Sequence, residues 1–426
     1  MSTRPSPSLS LEPPSTAVDT SASVRETELF TRPFVLMLCV QFCFGLSFST
    51  FFLLPKYLAR EFHASASAIG AVAASAMLAG VAATPFIGAA IDRGARRPAI
   101  TYGALVNGLS GCAFAWVHAI SLPFYALRVV HGISYALVFN ALVTLAADLA
   151  PPKKLGQAIG LCGAAGMIAN AIAPAIAEGI ADHQGWGLVF LLAGSASLLA
   201  ALLSLGIREP RLETHTPALD PKTKTKTDAN PSVLASVRGP SALALVLDPR
   251  RAGAFICAAA AGAAFGVMFT FTQPFALSLG ASAVSSFFIG YTVCALSVRL
   301  FLGALADNLG RQRVAFGALV LYGLVVCMTS QLRPGLLFLA GAGLGLAHGL
   351  LYPAINALAA EGVPRARRGA VMSYFSACFY GGFALCAFGL GFLAKAAGYP
   401  LVFVLSGVLV WSTLWFLPKP ARELGA

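Results

Sequence analysis

Gly88-Ala-Ala-Ile-Asp92-Arg93-Gly94-Ala95-Arg96-Arg97 closes one apolar run of this chain, and Gly303-Ala-Leu-Ala-Asp307-Asn308-Leu309-Gly310-Arg311-Gln312-Arg313 closes another in its second half. Each sets an aspartate four residues after a glycine and follows it with a basic cluster. Two further echoes keep the same order. His131-Gly132-x-x-Tyr135 returns as His348-Gly349-x-x-Tyr352, and Gly185-Trp186-Gly187-Leu188-Val189-Phe190 returns as Gly398-Tyr399-Pro400-Leu401-Val402-Phe403. Three echoes in one order predict a chain built as two similar halves.

Outward from these motifs the sequence is apolar. Of 426 residues 58% are hydrophobic and 11% charged, with a mean hydropathy of +0.78. A soluble domain carries about 25% charged and 45–50% apolar residues, so too few polar side chains remain to coat a water-facing surface. Runs such as 34–57 and 252–277 are long enough to cross about 30 Å of hydrocarbon as helices. Lipid leaves a bare backbone without hydrogen-bond partners, and the runs lack the alternation of a barrel strand, so helices are expected. Twelve spans are predicted. They begin near Pro33, Ser67, Ala99, Leu122, Gly156 and Trp186, then near Ala252, Val284, Val314, Pro334, Gly369 and Tyr399. The fold class is an all-α membrane protein of twelve transmembrane helices in two pseudo-symmetric six-helix bundles. The predicted division is a tail at 1–32, a first bundle at 33–207, a polar linker at 208–251, a second bundle at 252–418 and a tail at 419–426.

A net charge of +12 invites a nucleic-acid reading, but Lys and Arg fall in short clusters between spans rather than on one folded surface. They report topology instead. Apart from Lys56, Arg60, Arg333, Lys395 and the intraspan Arg128 and Arg299, every Lys and Arg falls on the side of the N-terminus. By the retention of basic residues in the cytoplasm, both termini are cytoplasmic. The alanine-rich composition points to a bacterial inner membrane. All nine cysteines lie in apolar runs. Cys39 and Cys43 share a helix face as a ligand pair would, but helix packing is the expected role, with no disulfide, metal or cofactor. No H-E-x-x-H, paired intramembrane aspartates or phosphate loop supports an enzyme.

The paired motifs resemble the signature of the major facilitator superfamily, G-x-x-x-D-R/K-x-G-R-R/K between helices two and three, with a weaker copy between eight and nine. The resemblance covers roughly 33–418. The first copy brings its second glycine one residue early, and the second has Asn308 at a basic position. Gly88 and Gly303 are expected to let their helices approach a neighbour closely. The resemblance gives Asp92 and Asp307 a gating role with Arg93, Arg96, Arg97, Gly310, Arg311 and Arg313. Each aspartate would face a helix N-terminus of the opposite bundle, Asp92 near Gly369 and Asp307 near Gly156. Among family groups, the twelve-helix drug or metabolite:proton exporters are the nearest in pattern. Leu127-Arg128-Val129-Val130-His131-Gly132 is similar to their R-x-x-Q-G motif, whose arginine is linked to proton movement. The window from Ala173-Pro174 to Glu178 keeps only the proline of the antiporter motif.

An arginine inside a span costs from about 3 kcal/mol to over 10 unless paired or wet. Arg128 therefore needs a partner, and Glu178, within two turns of the same membrane face, is the candidate; snorkelling to the headgroups is the alternative. Arg299 resembles the anion-holding arginine of monocarboxylate carriers, or snorkels. The resemblance places helices one, four, seven and ten around a cavity. Gln41, His131, Tyr135, Asn140, Gln273, His348, Tyr352 and Asn356 are its expected polar lining, among many phenylalanines. The histidines could carry protons or bond between helices. The expected function is alternating-access transport of an amphipathic drug or metabolite, with proton-coupled export first and an organic-anion carrier or facilitator using Arg299 second. The expected partners are a small-molecule substrate, protons and the lipid bilayer, with no nucleic acid and a monomeric state.

Overall fold

A computed structural model describes residues 29–92, 96–151, 154–209, 244, 246–302, 309–363 and 365–417. The first half contains α1 (Arg32–Glu61), α2 (Ala66–Asp92), α3 (Arg96–Ala113), α4 (Leu122–Leu149), α5 (Leu155–Gln184) and α6 (Trp186–Ser204). The second contains α7 (Pro249–Ser278), α8 (Ser285–Phe301), α9 (Arg311–Gln331), α10 (Pro334–Ala360), α11 (Arg365–Ala397) and α12 (Tyr399–Phe416). The expected tails and linker lie almost wholly outside the described residues.

The halves repeat one packing scheme. In the first, α1 lies on α5, α2 on α4 and α3 on α6. In the second, α7 lies on α11, α8 on α10 and α9 on α12. Across the halves α2 meets α11 and α5 meets α8, a pairing that maps onto itself when the halves are exchanged. The turn into the last helix of each half is the same too. Gly185 and Gly398 adopt φ 86° and 85° with ψ 165°, a conformation open to glycine and strained for other residues. Large apolar side chains such as Phe86, Leu122, Phe301 and Trp415 point outward, fully exposed, as a lipid-facing surface requires.

Within a half, small residues bring helices together. The face Gly341, Gly345, Gly349 of α10 lies on α8, the first two against the carbonyls of Phe287 and Tyr291. Some polar side chains between helices bond locally. Asn107 of α3 donates to Ser47 of α1 and Ser197 of α6, both at 3.2 Å, and Ser197 donates to the Ala104 carbonyl at 2.8 Å.

Pro55 interrupts α1. Proline lacks an N–H and its ring crowds the carbonyl four residues back, and Phe51–Leu53 tightens into a 3₁₀ turn. The break is served from the other half. The Lys56 N–H donates to Gln273 Oε1 (3.3 Å), and Gln273 Nε2 donates to the Phe52 carbonyl (2.7 Å) as well as to Phe269 of its own helix (2.9 Å).

Candidate functional site

A cavity of about 250 Å³ lies between the halves, lined by α1, α2, α4 and α5 on one side and α7, α8, α10 and α11 on the other. A second chamber of about 310 Å³ shares Met77, Tyr135, Phe139, Tyr352 and Tyr380 with it, and reaches Thr84 and Gly369 near the ends of α2 and α11 that flank the glycine–aspartate motif. The walls are aromatic. Phe48 stacks on Tyr135 at 3.8 Å between centroids, and Tyr352 meets Phe379 edge-on at 5.4 Å.

Of the expected lining, Tyr135, Arg299, His348 and Tyr352 border the main cavity, and Asn140 borders the second chamber. Four residues do not border either one. Gln41 packs on α5 against Gly166, inside the first half. Gln273 is spent on the break at Pro55. Asn356 is half-buried outside both chambers. His131 is wholly buried, its ring edge-on to Phe51 at 4.1 Å and 5.5 Å from Phe114. The two histidines thus occupy matching repeat positions with different surroundings, since His348 faces the cavity beside Phe265 and Tyr352. Arg128, Asn170, Thr270, Tyr291 and Tyr380 complete the polar lining. Three of these come from α5, α8 and α11, helices outside the four-helix rule.

The expected Arg128–Glu178 pair is not formed. Glu178 is held instead by Lys56 of α1, Nζ to Oε1 at 2.5 Å, with the lysine side chain fully buried and the glutamate 4% exposed. Glu178 also accepts the backbone N–H groups of Val284 (2.7 Å) and Ser285 (2.8 Å), at the start of α8 in the other half. A carboxylate at a helix N-terminus meets unpaired N–H groups and the positive end of the helix dipole, which explains the choice of partner. Arg60 and Asp182, one turn further along the same two helices, pair at 2.8 Å, and Lys56 lies 3.7 Å from Asp182. Lys56 is therefore no loop residue, and it and Glu178 form the floor of the interface at one end of the molecule. The lysine was legible as part of a ladder: Lys56/Arg60 and Glu178/Asp182 are opposite charges at matching four-residue spacings.

The motif end is different. A Cβ on Gly88 would meet nothing within 4 Å, nor would one on Gly156 or Gly369. Among the described residues the close approach expected at Gly88 is absent, and the closest backbone contacts between the halves lie at the Lys56 end. There a Cβ on Gly70 of α2 would stand 2.0 Å from the Ala387 carbonyl of α11, and one on Gly391 2.9 Å from that of Ala66. Two of the motif residues bond within their own half. Arg96 pairs with Asp148 of α4 at 2.5 Å, and the Arg97 N–H bonds to Glu209. Arg311 and Arg313 are exposed at the start of α9, just past Gly310 at φ 89°. Arg93, Gly303, Asp307 and the side chain of Asp92 lie outside the described residues.

Two helical halves around an aromatic chamber, joined at the Lys56–Glu178 end, define a membrane transporter. The sequence matches the model of the Major Facilitator Superfamily over residues 37–298 and 254–426, and the chain belongs to that superfamily. It is 25% identical over 337 residues to the multi-drug resistance efflux pump PmrA of Streptococcus pneumoniae, covering 77% of this chain and 79% of that one. To multidrug resistance protein 2 of Bacillus subtilis it is 29% identical over 159 residues, 37% of this chain and 39% of that protein. In fold it is similar to a D-xylose–proton symporter, with a TM-score of 0.73 at 17% identity, covering 91% of this chain and 98% of that one.

Proposed function

We propose that this protein exports an amphipathic small molecule from a bacterial cell by alternating access, coupled to proton entry. The observation that carries this reading is the chamber between the halves, closed at the Lys56–Glu178 end and reaching the motif end. With both termini placed in the cytoplasm by the distribution of Lys and Arg, the closed end faces outward and the chamber faces the cytosol. Carriers built from repeated halves place their substrate near mid-membrane and rock one half against the other. The self-mapping pairs α2–α11 and α5–α8 supply the two seams along which such rocking would run. In the opposite arrangement the motif ends would come together, with Asp92 and Asp307 reaching the N-termini of α11 and α5. Multidrug efflux names among the relatives favour an amphipathic cargo, and so do the aromatic walls.

Glu178 is the proton site in this reading, and Arg128 is not its partner. A proton on Glu178 removes the charge that Lys56 and the start of α8 both rely on, and so loosens the outward end. Purified protein in liposomes tests the coupling, with amphipathic solutes of positive, zero and negative charge as cargo. An imposed pH gradient is expected to accelerate flux of the accepted solute several-fold, and a protonophore is expected to abolish the gain. Counterflow that ignores the gradient for every accepted solute makes the protein a facilitator and removes the proton from the cycle.

A further inference from the structure

We infer that the cavity takes an amphipathic aromatic carboxylate, with Arg128 holding the carboxylate and Arg299 guarding the mouth. The inference rests on the transport reading and names the cargo class. Its basis is the charge on the walls. Among the described residues bordering the main cavity, Arg128 and Arg299 carry the charge, and no Asp or Glu is present. Arg128 is 6% exposed, and its Nε and Nη1 meet no acceptor. The candidate counter-ion, Glu178, is occupied by Lys56 and the start of α8, and Asp182 is taken by Arg60. A buried guanidinium that meets no acceptor among the described residues, bordering an open chamber, is chemically suited to receive an anion. Its planar fork matches a carboxylate in a bidentate contact.

The two arginines differ in depth. Arg128 stands in the second turn of α4, whose start lies at the closed end, whereas Arg299 is in the last turn of α8, toward the motif end. At 1.5 Å per residue their backbones are on the order of 10 Å apart along the membrane normal, so the two arginines mark different depths of the chamber. Arg299 is exposed, and its Nη1 would lie 3.2 Å from a Cβ at Gly163 of α5, so it reaches across the seam at the mouth. A cation at the mouth and a second at the floor draw an anion inward. Phe48, Phe265, Phe269 and Phe379 line the same cavity and give an apolar body its wall.

The test compares three isosteric probes, 1-naphthoate, 1-naphthalenemethanol and 1-naphthylmethylamine, by equilibrium dialysis and by counterflow in liposomes. Wild type is expected to bind naphthoate at least about tenfold more tightly than the other two, the effect of one charge-assisted pair. Arg128→Gln is expected to remove that preference, and Arg128→Lys to restore part of it. Arg299→Gln is expected to slow naphthoate association and flatten its salt dependence, with a smaller effect on equilibrium binding. Melting temperatures close to wild type establish that the variants are folded. Naphthoate bound no more tightly than the alcohol overturns the proposal, and so does an unchanged preference in folded Arg128→Gln and Arg128→Lys. Exchange of the alcohol or amine without a naphthoate preference leaves transport standing and removes the anion site. Tight, Arg128-dependent naphthoate binding without exchange of any probe does the reverse.

Discussion

Glu178→Gln is expected to raise hydrogen exchange at the Val284 and Ser285 amides by between about tenfold and a hundredfold, in protein reconstituted in lipid. Both amides donate to the Glu178 carboxylate at the seam between halves, so their exchange reports opening of that end. Hydrogen bonds to a charged acceptor contribute about 1.5–3 kcal/mol each. Glutamine keeps one acceptor oxygen but turns an NH₂ group toward the second amide, setting donor against donor. It also leaves the fully buried Lys56 with Asp182, 3.7 Å away, as its remaining ionic partner. A loss of about 1.5–3 kcal/mol in the closed arrangement alone shifts the population by the stated factor.

Two controls give this expectation its edges. Lys56→Met removes the lysine but leaves the carboxylate on both amides, so exchange there should rise less than in Glu178→Gln. Acid should act in the same direction as the glutamine, because the charged carboxylate is the form that binds Lys56 and the start of α8. A protonated Glu178 lacks the charge that holds the closed contact. The charged groups facing it are Lys56 and, one turn on, Asp182 with Arg60. After correction for intrinsic exchange, wild type should show this acid step and Glu178→Gln should not. Equal exchange in both proteins at every pH would show that the end is held shut by apolar packing alone.

Ten of the twelve spans were legible because length and apolarity decide a transmembrane helix almost by themselves, and α3 is marked, like its counterpart α9, by its place in the repeat. Even α8, only 17 residues long, is marked by its place in the repeat. The site was harder to read, for reasons that differ by residue. Tyr135, Tyr352, His348 and Arg299 border the cavity as expected, since a polar group in a span has few other places to turn. Gln273 is polar for a different reason, the broken backbone at Pro55 in another helix, and nothing within α7 announces that debt. Arg128 announces its need of a partner and Glu178 offers itself as one, but Lys56 reads as a boundary lysine. At the end of an apolar run, a snorkelling lysine and a buried one have the same local sequence. The glycine of the motif shows a further limit. A close contact that exists in only one arrangement of the halves is written in the sequence, yet a structure of the other arrangement shows empty space beside Gly88.

Gly70→Val should abolish transport while leaving the protein folded, whereas Gly132→Val should cost the fold itself. Both glycines lie against a neighbour's backbone. A Cβ at position 70 would stand 2.0 Å from the Ala387 carbonyl oxygen, and one at position 132 would stand 1.9 Å from that of Ala76. Non-bonded atoms settle near 3.5–4.0 Å, and a backbone carbonyl in a packed helix cannot swing aside as a side chain can. The difference lies in what the contact joins. Gly132 and Ala76 belong to α4 and α2 of the same half, so relief requires prying a bundle apart, and overpacking of this kind costs about 1–3 kcal/mol or more. Gly70 and Ala387 belong to opposite halves, at the end sealed by Glu178, and rocking that end open relieves the clash without disturbing either bundle. A valine at position 70 thus acts as a wedge that holds the outward end apart. Spin-label distances across that end should lengthen and lose their closed component, with a melting temperature near that of wild type. Gly132→Val should lower the melting temperature, and Gly70→Val should raise exchange at Val284 and Ser285 as Glu178→Gln does. A folded Gly70→Val protein with wild-type distances and wild-type transport would mean that the α2–α11 contact never has to be close, and that the seam does not gate the chamber.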